Sequence, residues 1–137
     1  MIVVSPEKIN KRVFLAGSIE NGAAIDWQTK TARILSDEGF TVLNPRRNDW
    51  NPNWKQSIEN KEFKNQVEWE LNGLRISDVI LFYFQPKTLS PISLLELGLF
   101  ANSGKVIVVC PEGFWRKGNV DIVCEQFNIP IFKTIEE

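Results

Sequence analysis

The chain has 137 residues, of which 43% are hydrophobic, and this is enough for one domain of ordinary size with a real core. Its 16 basic residues nearly balance 17 acidic ones without a long basic cluster, which argues against a nucleic-acid polymer as partner because phosphate neutralisation needs clustered Lys and Arg. The longest apolar run, near residues 79–84, is far short of the roughly 20 residues that a membrane span needs.

The N-terminal stretch MIVVSPEK has neither a cationic start nor a cleavage site. We therefore expect a soluble, cytoplasmic protein in which residues 1–137 form a single domain. Because neither a nucleic-acid polymer nor a membrane is an expected partner, a small-molecule ligand is favoured.

The chain contains no histidine. This excludes Ser-His and Cys-His nucleophile pairs and metal sites built on histidine, so acid–base chemistry near neutral pH must come from carboxylates, lysine, tyrosine or cysteine. Cys110 and Cys124 are too few and too far apart for a zinc cluster, and they are typical of reduced, buried thiols. We expect no metal and no cofactor.

Short β-rich runs alternate with helix-length segments along the whole chain. Strands are predicted at 13–17, 40–43, 79–84, 106–110 and 129–133, and helices at 23–38, 63–76, 92–102 and 120–127. The runs ILFYF and VIVV are apolar throughout, as strands buried on both faces are. The alternation predicts a five-stranded parallel sheet with helices on both faces, in a flavodoxin-like or Rossmann-like three-layer α/β sandwich.

Ligands in such folds bind beyond the carboxyl ends of the strands. The candidate residues at these ends are Gly17, Ser18, Asn44, Arg46, Arg47, Trp50 and Ser90. The pair Gly17-Ser18 is compatible with a phosphate loop or with a plain strand-to-helix turn. The pair Arg46-Arg47 is compatible with an anion clamp or with pairing on the surface.

A carboxylate stands among leucines in the stretch SPISLLELG. Glu96 either faces a cleft or is neutralised, because the surrounding apolar side chains cover most of a helix surface. The spacing of Ser93 and Glu96 fits a capping box at a helix start, whereas Ser90 before Pro91 is a rival N-cap that would put Glu96 in the second turn. In the preceding helix, Gln66 and Glu70 share one face, which is either a ligand-facing or a solvated surface.

Five stretches resemble the nucleoside 2-deoxyribosyltransferases and their relatives: VFLAGSI, NPRR, QVEWELNGLRISDVILFYF, SPISLLELGLFA and VIVVCPEGFWRKGNV. The E-L-G element is the most family-specific of these features. The resemblance implies that Glu96 is the nucleophile that attacks the anomeric carbon, and that Glu70 is an acid that contacts the base or sugar. It also implies that Asn119 is donated to the neighbouring subunit's site, although Asn119 is equally placed to be the N-cap of a helix from residue 120.

The chain departs from the family pattern at two positions. Ser90 stands where the family has a base-contacting aspartate, and Phe14 stands where it has a tyrosine that steadies the nucleophile. The implied substrates are a nucleoside or nucleotide and a free nucleobase, and the implied assembly is a homodimer or a higher homo-oligomer with shared active sites.

Retaining glycosyl transfer suits these residues, because it needs one carboxylate as nucleophile and one proton donor, without histidine or metal. We expect helix-start amides to keep Glu96 ionised, and Trp50 or Trp54 to stack on the base. Two alternatives stay open. One is a nucleoside or nucleotide hydrolase in which Arg46-Arg47 binds a 5′-phosphate, and the other is a non-catalytic sensor of a nucleotide-derived ligand.

Overall fold

The computed structural model describes residues 11–18, 26–46 and 53–134. Its elements in chain order are β1 (Arg12–Gly17), α1 (Gln28–Asp37), β2 (Thr41–Leu43), α2 (Lys61–Ile76), β3 (Val79–Tyr83), α3 (Pro91–Phe100), β4 (Val106–Val109), α4 (Lys117–Gln126) and β5 (Ile131–Phe132). Each of the five predicted strands is present, with ends that differ from the prediction by no more than about two residues.

All strand pairs are parallel, and the strand order is β2-β1-β3-β4-β5. This is the flavodoxin-like order, so the predicted fold class is confirmed. The chain runs from β1 outward to β2 and then back across to β3. Strand order therefore reverses between β1 and β3, and the carboxyl ends of these two strands are where a ligand is expected.

Two hydrophobic clusters show which helices cover which face of the sheet. Val13 and Leu15 of β1 pack with Leu35 of α1 on one face. The alternate β1 residues Phe14 and Ala16 belong to the cluster that includes residues of α2, α3 and α4 on the other face. Because side chains of a strand alternate between faces, the sheet is covered on both sides, as predicted.

The start of α4 differs from the prediction. The helix begins at Lys117 with Arg116 as N-cap, so Asn119 lies inside the first turn, and its interpretation as the N-cap is wrong. The Lys117 ammonium donates to the backbone carbonyl of Cys110 at 3.1 Å and to Asp121 Oδ1, one turn along, at 3.0 Å. These two bonds stabilise the first turn of α4. The sequence does not indicate this turn, because Gly118 and Asn119 have low helix propensity.

The start of α1 also differs. The predicted start at residue 23 lies outside the described residues, and the described helix begins at Gln28 after a Trp27 N-cap. In the part of the chain that the structure describes, no helix is both long and apolar enough to cross a membrane. Cys110 and Cys124 are buried free thiols, as predicted, and burial raises the pKa of each to about 11.

Candidate active site

The N-terminus of α3 decides where Glu96 points. Ser90 is the N-cap and Pro91 the first helical residue, and the amide of Leu94 donates to the Ser90 carbonyl at 3.0 Å. The capping box built on Ser93 is therefore wrong, because Ser93 already lies within the first turn. Glu96 falls in the second turn, as the Ser90 alternative predicts.

Glu96 points into the protein. The buried side chains of α3 are Ser93, Glu96 and Leu97, and Glu96 is only 6% exposed. Burial, and then repulsion from Glu70, raises the pKa of Glu96 to about 8, while burial raises the pKa of Glu70 to about 7. The structure thus brings together the two predicted catalytic carboxyl groups, one from α2 and one from α3.

The expectation that helix-start amides keep Glu96 ionised is wrong for the unliganded protein. The stabilisation that a helix N-terminus gives to an anion fades within the first turn, and Glu96 lies beyond it. The free energy of removing the Glu96 carboxylate from water exceeds the stabilisation that the helix N-terminus gives it. The protonated form is therefore favoured near neutral pH.

Glu96 is buried and Glu70 is half-buried, and carboxyl groups that repel each other titrate as a pair. Because both pKa values are raised, Glu70 and Glu96 retain protons near pH 7 that exposed carboxyl groups would have lost. The form of the pair with one proton contains one ionised carboxylate and one carboxylic acid. Such a pair can supply a nucleophile and a proton donor at the same time.

Phe14 of β1 packs against α2. Its side chain is fully buried, and its ring centroid lies 6.1 Å from that of Trp69. A Cβ at Gly73 would come within 2.9 Å of the Phe14 ring, so the ring fills the space that the missing side chain leaves. Gly73 stands three positions after Glu70 on α2, and this close packing gives the glycine a structural reason.

Gly17 allows β1 to end against β3. Its φ is +145°, and a Cβ there would collide with the backbone oxygen and nitrogen of Tyr83. The next residue, Ser18, is fully buried, and its amide donates to the Tyr83 carbonyl at 3.0 Å. The segment Gly17-Ser18 is therefore bonded to β3 at the point where strand order reverses.

Ser18, Thr88 and Ser90 form what we call the hydroxyl cluster. Ser18 Oγ lies 2.6 Å from Ser90 Oγ and 2.8 Å from Thr88 Oγ1, and the two latter oxygens are 3.0 Å apart. The sequence named Ser18 and Ser90 as candidates but missed Thr88. Only the hydroxyl side chains in TLSP hinted at it, because its partner Ser18 is 70 positions away in the chain.

The segment after β2 holds further candidate residues. Asn44 Oδ1 accepts a hydrogen bond from the Arg46 amide at 3.0 Å, and Gln66 Nε2 of α2 donates to the Pro45 carbonyl at 3.4 Å. The Arg46 guanidinium lies within electrostatic reach of Asp26. Asn44, Arg46 and Gln66 are thus brought together at the carboxyl end of the sheet.

The remaining aromatic and basic candidates are Arg47, Trp50 and Trp54. Trp50 and Arg47 lie outside the described residues, and Trp54 is half-buried. In the described ranges, no group of three or more Cys, Asp or Glu side chains is arranged to hold a metal ion.

Asn119 lies apart from the carboxyl pair. It is exposed and lines a groove of about 340 Å³ between α3 and α4, together with Leu94 and Gly98. At 3.6 residues per turn, Glu96 and Gly98 project from α3 about 200° apart. Glu96 therefore faces the α2 side of α3, whereas Asn119 faces the opposite side.

The family model described as nucleoside 2-deoxyribosyltransferase like matches residues 10–114, which is well over half of the chain. The chain belongs to this family. The family membership suggests a transferase-like enzyme, in agreement with the resemblance seen in the sequence. A search of curated proteins finds no match to the chain.

The matched residues include every strand from β1 to β4 and both carboxyl groups, Glu70 and Glu96. They end before α4, so Asn119 lies outside the match. The family assignment therefore rests on the part of the chain that builds the carboxyl pair, and the role of Asn119 rests on other arguments.

Proposed function

We propose that the protein transfers a 2-deoxyribosyl group between nucleobases through a covalent adduct on Glu96. The observation that carries this proposal is that half-buried Glu70 repels buried Glu96 in a member of this family, on the helix that follows β3. A carboxyl pair with raised pKa values is what a retaining glycosyl transfer needs.

The first step starts from the pair with one proton, which moves from Glu96, the group with the higher pKa, to Glu70 as the substrate binds. The Glu96 carboxylate oxygen forms a bond to the anomeric carbon, and the bond from that carbon to the base breaks, with its electron pair going to the base nitrogen. That nitrogen takes the proton of Glu70, so the base leaves neutral. Positive charge that develops on the sugar carbon draws the negative charge of the pair onto Glu96.

The second step is the reverse of the first with a different base. A nitrogen of the acceptor base attacks the anomeric carbon, Glu96 leaves as a carboxylate, and the Glu70 carboxylate takes the proton that the acceptor loses. Two displacements at one carbon retain its configuration. Water in place of the acceptor base would give hydrolysis.

We further propose that a second copy of the chain completes the site with its own Asn119. One surface of α3, which we call the outer face, is formed by Ile92, Leu95 and Leu99, which stand three and four positions apart. Each of these apolar side chains is more than half exposed. A Cβ on Gly98 would meet no described atom within 4 Å. An exposed apolar stripe beside an open glycine fits close packing of a second helix.

Mass spectrometry of protein mixed with a panel of deoxynucleosides tests the adduct. We expect the mass of one deoxyribosyl group on the peptide that contains Glu96. The matched control Glu96→Gln keeps the shape of the side chain and should carry none. An adduct on another residue, or none with any nucleoside, would contradict the proposal.

A labelled free base in the same mixture separates the two fates of the adduct. We expect the label to appear in a new deoxynucleoside. If free deoxyribose forms and the label stays in the free base, the protein is a hydrolase instead. If the deoxynucleoside binds with neither product, the protein is a sensor.

A further inference from the structure

The α3 helix starts from a strained residue. Ser90 has φ 48° and ψ 49°, the left-handed region that residues with a Cβ rarely adopt. In this conformation the Ser90 side chain makes no capping hydrogen bond to the helix, as far as the described residues show. Its hydroxyl is turned toward the end of β1 instead, where Ser18 Oγ lies at 2.6 Å.

The segment between β3 and α3 is bonded to the same cluster. The amide of Gln85 donates to Ser18 Oγ at 2.9 Å, and Thr88 Oγ1 donates to the Gln85 carbonyl at 2.8 Å. Ser18 is fully buried, and Ser90 is 4% exposed. Polar groups buried to this degree must bond to one another, because water is not there to replace a lost partner.

The three hydroxyl groups are linked in series to the backbone. Thr88 Oγ1 donates to the Gln85 carbonyl, which can only accept. Thr88 Oγ1 also lies 2.8 Å from Ser18 Oγ, which lies 2.6 Å from Ser90 Oγ, and either hydroxyl of each pair can donate. The result is one hydrogen-bond chain from Ser90 through Ser18 and Thr88 to the backbone, in which each bond polarises the next.

We propose that this hydrogen-bond chain positions Glu96, and that Ser18, Thr88 and Ser90 are positioning residues rather than contacts to the nucleobase. This inference rests on the proposed role of Glu96 as nucleophile. The Ser90 carbonyl accepts the first hydrogen bond of α3, from Leu94, and Glu96 follows two residues later in the same rigid helix. A shift of Ser90 is therefore passed to the Glu96 carboxyl group.

The sensitivity of the reaction to such a shift is large. Displacing a reacting group by about 1 Å can slow a reaction about 100-fold, even when the cause is remote from the chemistry. The hydrogen-bond chain holds Ser90 in a left-handed conformation that a residue with a Cβ disfavours. Losing one hydrogen bond of that chain therefore releases Ser90, the residue that begins α3.

Thr88 offers a matched pair of variants. Thr88→Val replaces the hydroxyl by a methyl of similar size and removes the donor to the Gln85 carbonyl. Thr88→Ser keeps the hydroxyl and removes only the methyl. Thr88 is half-buried, so both variants are expected to fold, and circular dichroism verifies this. Any effect found in Thr88→Val and absent from Thr88→Ser belongs to the hydrogen-bond chain.

The first readout needs no activity. Hydrogen exchange of the Leu94 amide reports whether the first turn of α3 opens, because that amide donates to Ser90. Losing one link of the chain should speed this exchange by about 3- to 10-fold in Thr88→Val. Thr88→Ser should match the wild type.

The second readout separates positioning from substrate contact. In Thr88→Val, kcat should fall by about 10- to 100-fold with KM held within about twofold, and the effect should be equal for every base. A deoxynucleoside should bind to Glu96→Gln with the same Kd whether or not Thr88→Val is added. Thr88→Ser should restore kcat.

The outcomes separate this inference from the proposed function. Unchanged exchange at Leu94 in Thr88→Val, or faster exchange with an unchanged kcat, overturns the positioning role. A base-dependent rise in KM overturns it in favour of substrate contact. If the wild type turns over no nucleoside, the proposed function fails and the positioning role fails with it, whatever the exchange data show.

Discussion

The two sides of α3 depart from the usual order of a surface helix. The side toward α2 and the sheet buries a carboxyl group at Glu96 and a hydroxyl at Ser93 beside Leu97, while the outer face exposes Ile92, Leu95 and Leu99 to between 58% and 60%. A helix that only had to fold this chain would place these residues the other way round. We attribute the carboxyl side to the proposed transfer reaction, and the outer face to the proposed contact with a second copy of the chain.

We expect the largest effect on activity when the Glu96 and Asn119 substitutions are placed on separate chains. Glu96→Ala and Asn119→Ala should each be nearly inactive alone, yet partly active when co-refolded, because a mixed dimer holds one site with both native residues. Random pairing makes about half of the dimers mixed, so activity should recover to about a quarter of wild type. Turnover assays before and after co-refolding measure this.

Asn119 is well suited to this test because it lies exposed inside the first turn of α4, where alanine costs no capping bond. Mixed chains that show only the summed activity of the two variants would refute a shared site. An active monomer in sedimentation would refute it as well.

A charge on the outer face should break the assembly. Leu95→Lys places a cation at the centre of the stripe and should raise the dimer dissociation constant by at least about 30-fold, the effect of losing one strong interface residue. The matched control is Ile34→Lys on α1, which is 46% exposed and lies on the opposite face of the sheet. Sedimentation velocity over a range of concentrations compares the two, and equal behaviour would contradict the proposed interface.

Burial of the Glu96 carboxyl group should lower the stability of the fold as pH rises. In the folded state the pKa of Glu96 is raised from 4.5 to about 8, so folding favours the protonated form. The favourable burial of that form is fully present below pH 4.5 and is lost as pH rises toward 8. Glu96→Gln cannot ionise, so we expect equal stability near pH 4.5 and a gain on the order of 2–4 kcal/mol at pH 8.

Urea unfolding of both proteins at the two pH values measures this gain. Ser36→Ala on the exposed end of α1 serves as a control that should show no pH-dependent difference from wild type. A Glu96→Gln protein less stable than wild type at pH 8 would show that Glu96 is ionised in the fold.

The smallest effect is expected at Phe14, where the family pattern has a tyrosine. Phe14→Tyr adds a hydroxyl to the ring that packs against α2, and if this hydroxyl makes one net hydrogen bond to the carboxyl pair, worth about 0.5–1 kcal/mol, turnover should rise about two- to fivefold. Steady-state kinetics and a melting curve decide it. A fall in melting temperature without a gain in turnover would mean that the hydroxyl is buried without a partner.

The sequence could identify the elements because their signals are local. Apolar runs such as VIVV show a buried strand within four residues, and the alternation of strands and helices allows only a parallel sheet. The carboxyl pair was also within reach, since the family resemblance implied roles for both Glu70 and Glu96. The sequence could not predict the start of α4. A tertiary hydrogen bond from Lys117 to the Cys110 carbonyl outweighs the low helix propensity of the first turn.

By itself, the sequence determined the fold class, the helix that carries Glu96, and the absence of histidine from any mechanism. The tertiary structure decided three things: that burial raises the pKa of Glu96, that Ser90 rather than Ser93 begins its helix, and that Thr88 meets Ser18 across 70 positions. The physical reason is distance along the chain. Periodicity and capping act over a few residues, whereas desolvation and hydroxyl contacts depend on neighbours that only the folded sheet brings together.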